Sequence, residues 1–297
     1  MTSSKQPTRL TGAEGITLAA DITGPDTGYP VVLLHGGGQT RHSWHHTAVV
    51  LGERGFHVHN VDMRGHGDSD WSSDGNYGLD AFAADIRAVA NTIKSADAQH
   101  RAPALVGASL GGISSLAAIA ETTDVVASAL VLVDVGPQIE REGADRIGAF
   151  MMEHMEKGFA TLNDVADSIA TYNPHRPRPN NLDGLKKNLR ERNGRWFWHW
   201  DPAFITGRRG SSDETRMLTE PTRLHAATLE FASRNIATLM VRGRQSDLLS
   251  EEGAKAYLHL VPHAQFIDVA GAGHMVAGDR NDVFNDAVVD FLNALAK

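Results

Sequence analysis

Leu105-Val106-Gly107-Ala108-Ser109-Leu110-Gly111-Gly112 begins in a short apolar run and ends in a helical pattern. A strand that turns this sharply into a helix forces its middle residue into a strained backbone conformation. Side chains two positions to either side would then collide with neighbouring backbone. Gly107 and Gly111 remove that collision, and the turn presents the Ser109 hydroxyl outward at a helix N-terminus. In this strand–turn–helix setting Ser109 is the candidate nucleophile. A chance serine in a tight turn is the alternative when the five residues stand alone.

Around that turn, short runs rich in Val, Ile and Leu alternate with longer helical patterns, the signature of a parallel sheet covered by helices. Residues 31–34 predict a fully buried strand, and 57–61, 104–106, 129–133, 238–241 and 265–269 predict five more. Residues 9–23, with Gly12 and Gly15, read as an antiparallel hairpin. Leu79, Phe82, Ile86, Val89 and Ile93 fall on one side of a helix at steps of three and four. Helices are also expected over 109–119, 251–260 and 282–295. The fold class is α/β. The connection from Gly136 to Thr238 carries plausible helices and no strong strand, and is read as an inserted helical lid interrupted by Pro174, Pro177 and Pro179.

Composition narrows the function classes. The 297 residues include 28 Lys and Arg against 36 Asp and Glu, a formal net charge of −8. A chain this acidic is repelled by a phosphate backbone unless it keeps a basic patch, and Arg208-Arg209 is too small to be one. Nucleic acid is not an expected partner. The absence of cysteine removes disulfides, thiolate catalysis and Cys-based zinc sites. The first thirty residues lack the apolar run of a secretory signal and no stretch is long enough to span a bilayer, so a cytoplasmic protein with no membrane partner is expected.

Three further segments carry chemistry. His35-Gly36-Gly37-Gly38 follows the 31–34 strand, and its glycines let backbone N–H groups point into a cavity. The N–H of Gly37, with Gly38 as the alternative, and that of Leu110 are the candidate oxyanion donors. No Gly-Lys-Ser/Thr ending follows, which disfavours an NTP-binding loop. Among fifteen histidines, His274 stands out in Gly271-Ala272-Gly273-His274, just past the last predicted strand, where open α/β sheets place their ligands. Asp247 lies beyond the preceding strand at the same edge, and the order Ser, Asp, His suits a nucleophile on such a turn. Asp134, directly after Val133, is the rival acid; Asp247 is preferred because Asp134 could equally cap or brace the lid. His42, His45 and His46 read as a surface cluster at a helix start, without the carboxylate partners of a metal site.

The chain resembles the α/β-hydrolase superfamily from near Arg9 to its end. Besides the serine turn it carries Asp62-Met63-Arg64-Gly65-His66-Gly67-Asp68-Ser69, similar to that family's Asp-x-Arg-Gly-His-Gly-x-Ser turn, and His35-Gly36 trailed by Trp44. The resemblance implies an α/β-hydrolase fold: a mostly parallel eight-stranded sheet flanked by helices, formed by residues 1–136 and 237–297, with a helical cap at 137–236. It implies a Ser109–His274–Asp247 triad, oxyanion donors Gly37 and Leu110, a structural role for His66 and Asp68, and no metal or organic cofactor. A serine nucleophile argues against the aspartate-dependent dehalogenases and epoxide hydrolases of this fold. The expected reaction is cleavage of a carboxylic ester or lactone through an acyl-enzyme. Carbon–carbon bond hydrolysis, perhydrolysis and cofactor-free dioxygenation are alternatives, and a ligand-binding receptor retaining the fold is the alternative of another class. The expected partner is an apolar or aromatic small molecule, and a homodimer is allowed. The lid holds Met151, Met152, Met155, Trp196, Phe197, Trp198, Trp200 and Phe204, which either line the pocket or form the lid's own small core. Gly38, Trp44, Met151, Met155, Trp196, Trp198 and Met275 are the candidate substrate contacts.

Overall fold

Successive residues of a strand point to opposite faces, so a strand apolar at every position must be covered on both sides. Two apolar layers satisfy this requirement in the computed structural model, which describes residues 6–174, 176–207, 221–274 and 281–296. The strands are β1 (Thr8–Thr11), β2 (Thr17–Thr23), β3 (Pro30–Leu34), β4 (His57–Val61), β5 (Ala104–Ala108), β6 (Ala129–Val133), and, beyond an insertion, β9 (Ala237–Gly243) and β10 (Gln265–Val269). They form one eight-stranded sheet in the order β1-β2-β4-β3-β5-β6-β9-β10. The strands from β4 to β10 run parallel, and β1 and β2 form the expected antiparallel hairpin at the edge.

Val32, Leu34, Leu105, Leu130 and Met240 face a layer that includes α2 (Leu79–Ala96) and α3 (Leu110–Ala120). Val31, Leu33, Val106, Val131 and Leu239 face α1 (His45–Glu53) and the C-terminal helix. The chain leaves β3 for β4 on one side and places β5 on the other. The loops after β3 and β5 therefore flank a topological switch point, where open α/β sheets form their ligand crevice.

Between β6 and β9 come α4 (Arg141–Met152), α5 (Leu162–Tyr172), α6 (Leu182–Leu185), β7 (Leu189–Arg192), β8 (Arg195–Trp198), α7 (Ala203–Thr206) and α8 (Pro221–Ser233). The segment is not purely helical: β7 and β8 pair antiparallel. Their link is Asn193-Gly194, both residues at positive φ (52° and 72°), the two-residue turn that matches the twist of a hairpin. Asn-Gly between alternating residues was the signal for this hairpin in the sequence. Met151, Phe159, Val165, Leu189, Trp198 and Trp200 give the insertion its own apolar core. Its last helix behaves differently, because Leu224, Ala227 and Phe231 of α8 join the main core alongside α3. After β9 come α9 (Glu251–Leu260), β10 and α10 (Asn281–Leu295). Among the described residues no helix is long and apolar enough to cross a membrane.

Candidate active site

Ser109 caps α3 with φ 46° and ψ −114°, a left-handed conformation that a non-glycine residue adopts only when its surroundings impose it. Those surroundings are tight. A Cβ at Gly107 would lie 2.4 Å from the backbone of Gly111, and one at Gly111 would lie 2.4 Å from the Leu34 carbonyl. The Ser109 N–H donates to the Val133 carbonyl (3.1 Å), and its own carbonyl accepts from Gly112 and Ile113 (2.9 and 3.0 Å). Strand, turn and helix together fix the serine at the C-terminal end of β5.

The acid beside the histidine is Asp134. In the parallel register Ala108 pairs with Val133, so Ser109 and Asp134 are the next residues on adjacent strands, about 4.8 Å apart in the pairing direction. Asp134 is fully buried and also left-handed, with φ 52°. Its carboxylate accepts from the Gly243 N–H (2.9 Å), the Ser246 hydroxyl (2.5 Å) and His274 Nδ1 (2.7 Å). An acceptor-only carboxylate on Nδ1 requires the proton there, which leaves Nε2 as the basic nitrogen. Among the described residues the ring's hydrogen bond runs to Asp134, and none joins it to the Ser109 hydroxyl.

Asp247, the acid preferred from sequence, does not meet His274. It lies four residues past the end of β9, and its carboxylate pairs with Arg146 of α4 at 2.5 Å. The start of α4 is pressed onto this loop. A Cβ at Gly143 would lie 2.2 Å from the Asp247 carbonyl, and Glu140 donates to the Leu248 carbonyl. Asp247 thus pairs with the insertion, the position considered for Asp134, and Asp134 is the acid that contacts His274.

The glycine loop after β3 lies against the serine: a Cβ at Gly36 would be 3.4 Å from that of Ser109. His35 and Gln39 pin the peptide between Gly36 and Gly37. The Gly36 carbonyl accepts from His35 Nδ1 (2.8 Å) and from the Gln39 N–H (3.1 Å), while His35 Nε2 accepts from the Met63 N–H (2.9 Å). In a trans peptide the N–H opposes the carbonyl, so this pinning sets where the Gly37 N–H points. Among the described residues neither this N–H nor that of Leu110 donates to another backbone group outside the helices and strands. The Gly38 N–H is taken, donating to His66 Nε2 at 3.1 Å. His66, read as structural, therefore reaches the loop itself. Burial holds the imidazoles neutral, pushing His35 down to about 4 and His66 down to about 3.

The candidate substrate contacts divide. Gly38 and Met151 meet, a Cβ at Gly38 lying 2.9 Å from the Met151 Cε and 3.4 Å from the Trp200 ring. Phe204 of α7 stands over Gly37, 3.3 Å from where its Cβ would be. Trp44 is not a pocket residue: it is buried in the layer under α1 and α10, its ring 5.6 Å from that of Phe284. Trp198 belongs to the insertion's core, stacked on Trp200 and edge-on to Phe159. Trp196 packs half-buried against that core with Lys186 above its ring. Met155 is half-buried beyond the end of α4, and Met275 lies outside the described residues. His45 and His46 are exposed at the start of α1. Among the described residues no cluster of three His, Asp or Glu side chains is placed to hold a metal ion.

Residues 31–287 match the model of the alpha/beta hydrolase family. The chain is 29% identical over 257 residues to the esterase Rv0045c of Mycobacterium tuberculosis, covering 84% of this chain and 78% of that protein. It is 27% identical over 256 residues to a 3-hydroxybutyrate-oligomer hydrolase of Cupriavidus necator, covering 84% of each. In fold it is similar to the crystal structure of E-2-(acetamidomethylene)succinate hydrolase, with a TM-score of 0.78 and 23% identity over 97% of this chain and 98% of that one.

Proposed function

Because the chain belongs to the alpha/beta hydrolase family, we propose that it is a serine hydrolase cleaving a carboxylic ester of an apolar small molecule, with Ser109, His274 and Asp134 as its triad. The observation that carries this reading is the strained Ser109 at the end of β5, one strand from a buried carboxylate already bonded to His274. His274 Nε2 takes the hydroxyl proton as Ser109 Oγ attacks the carbonyl carbon, and Asp134 holds the tautomer and steadies the imidazolium. Substrate-free sites commonly hold serine and histidine farther apart than the reacting complex does, so the transfer completes as the pair closes on a bound ester. The tetrahedral oxyanion rests on the N–H groups of Gly37 and Leu110, the alcohol leaves with the proton from His274, and water repeats the sequence on the acyl-enzyme. Phe204, Met151 and Trp200, gathered at the glycine loop, favour an apolar acyl or alcohol group there.

The test is a screen of short-chain, long-chain and aromatic p-nitrophenyl esters with a lactone alongside, run on the wild type and on Ser109→Ala. Loss of ester hydrolysis by several orders of magnitude in the variant is expected. Activity that survives the loss of the serine would instead support base-driven chemistry at His274.

A further inference from the structure

Two imidazoles hold the two backbone groups of Gly38. His66 accepts its N–H, as described. Its carbonyl faces the Nε2 of His199, which follows β8 in the insertion, at 3.4 Å. His199 Nδ1 accepts from the Gly67 N–H at 2.7 Å, which fixes the proton on Nε2 and makes that nitrogen the donor toward Gly38. The ring is completely buried, its centroid 5.8 Å from that of His66 and edge-on to Trp200. Burial holds it neutral, well below the ordinary histidine range. Among the described residues the other hydrogen bonds from the hairpin region reach the Thr40 side chain, Tyr77 and the 62–69 turn, and not the glycine loop's backbone. Arg190 donates to the Gly67 carbonyl and to Asp68, and the Asp201 N–H donates to the Gly65 carbonyl (2.9 Å).

We propose that His199 is a positioning residue for the oxyanion loop, its contact with the Gly38 carbonyl, rather than docking of the inserted segment in general, setting the rate of attack by Ser109. Gly38 is left-handed, with φ 73°, and the peptide before it continues directly from the Gly37 N–H. Holding both ends of Gly38 keeps that donor aimed. Releasing the carbonyl frees the loop to rotate and leaves a half-buried acceptor without this partner. This inference rests on the serine-hydrolase reading.

The experiment measures the rate at which a fluorophosphonate labels Ser109, with KM and kcat for a p-nitrophenyl ester, in four folded proteins checked by thermal melting. His199→Asn keeps an acceptor for Gly67 and loses the reach to Gly38; His199→Gln keeps a donor for Gly38 and loses the acceptor. Arg190→Ala removes a different tie between the insertion and the 62–69 turn. Complete loss of an oxyanion donor costs about 10²–10³ in rate, so a misaimed one predicts labelling and kcat roughly tenfold lower in His199→Asn, with KM changed less than about threefold. His199→Gln and Arg190→Ala should stay within about threefold of wild type. Equal slowing of His199→Asn and His199→Gln, equal slowing by Arg190→Ala, or a loss carried by KM would overturn the proposal. So would a folded His199→Asn that labels at the wild-type rate. A wild type that is not labelled would overturn the serine-hydrolase reading and this inference with it.

Discussion

Exchanging the two acids for their amides separates Asp134 from Asp247. In Asp134→Asn the side chain keeps its shape but has one acceptor oxygen where the carboxylate had two. The carboxylate serves the Gly243 N–H at 2.9 Å through one oxygen, and the Ser246 hydroxyl and His274 Nδ1 at 2.5 and 2.7 Å through the other. An amide that keeps the Gly243 bond must turn its NH₂ toward His274. The ring then accepts at Nδ1 and carries its proton on Nε2, where it cannot act as base. Loss of the correct tautomer in a serine triad lowers kcat about 10⁴-fold, or about 5.4 kcal/mol at 1.36 kcal/mol per decade. Asp247→Asn breaks only an ion pair with Arg146, whose side chains are 38% and 50% exposed. A pair this open to solvent contributes roughly 0–1 kcal/mol, so kcat should stay within about threefold and the melting temperature should fall slightly. Steady-state kinetics on p-nitrophenyl butyrate at pH 8, with circular dichroism as the check on folding, give the comparison. A folded Asp134→Asn that keeps its kcat while Asp247→Asn loses it would refute the assignment.

Further outcomes follow from the same contacts. His35→Phe removes the donor to the Gly36 carbonyl and the acceptor for the Met63 N–H. It should lower kcat by about 10²–10³ through a misdirected Gly37 N–H, and stopped-flow acylation rates check this against KM. Gly107→Ala drives a methyl to 2.4 Å from the Gly111 backbone, and denaturant midpoints should show a loss of about 1–3 kcal/mol or more. Stability should also fall as the solution is acidified. Burial lowers His35 and His59 to about 4 and His66 to about 3, so below the ordinary histidine value the unfolded chain binds protons that the native state does not. Their contribution is complete above pH 6.5 and declines toward pH 4 at up to about 1.4 kcal/mol per pH unit for each ring. Urea midpoints at pH 7.5, 6 and 5 should descend in that order; a midpoint that rises on acidification would contradict the burial of neutral rings.

The sheet was legible in the sequence because its central strands β3, β5 and β6 carry no polar side chain, and only burial on both faces explains that. The Ser109 turn was legible because glycines at 107 and 111 have few other uses at a strand end. The acid was not legible. Two aspartates follow two adjacent strands, and which one meets the imidazole depends on where α4 docks, a long-range contact made by Gly143 and Arg146 that no local pattern records. The Trp-rich hairpin resisted reading for a related reason. Trp196 and Trp198 pack into the insertion itself, while the histidine between Trp198 and Trp200 reaches back to Gly38 across a large gap in sequence. The Asn193-Gly194 turn is the one local signal of the hairpin, and it sits between segments whose other residues suit helices equally well.

In the proposed mechanism Ser109 becomes an acyl carrier during turnover. Acid-quenching a millisecond reaction with a slowly deacylating p-nitrophenyl ester, followed by peptide mass spectrometry, reads this directly. One acyl group is expected, on the peptide containing residue 109, formed at the rate of the p-nitrophenol burst and missing from the Ser109→Ala protein. Ester turnover by folded protein with residue 109 unmodified at every quench time, and with no burst, would contradict it.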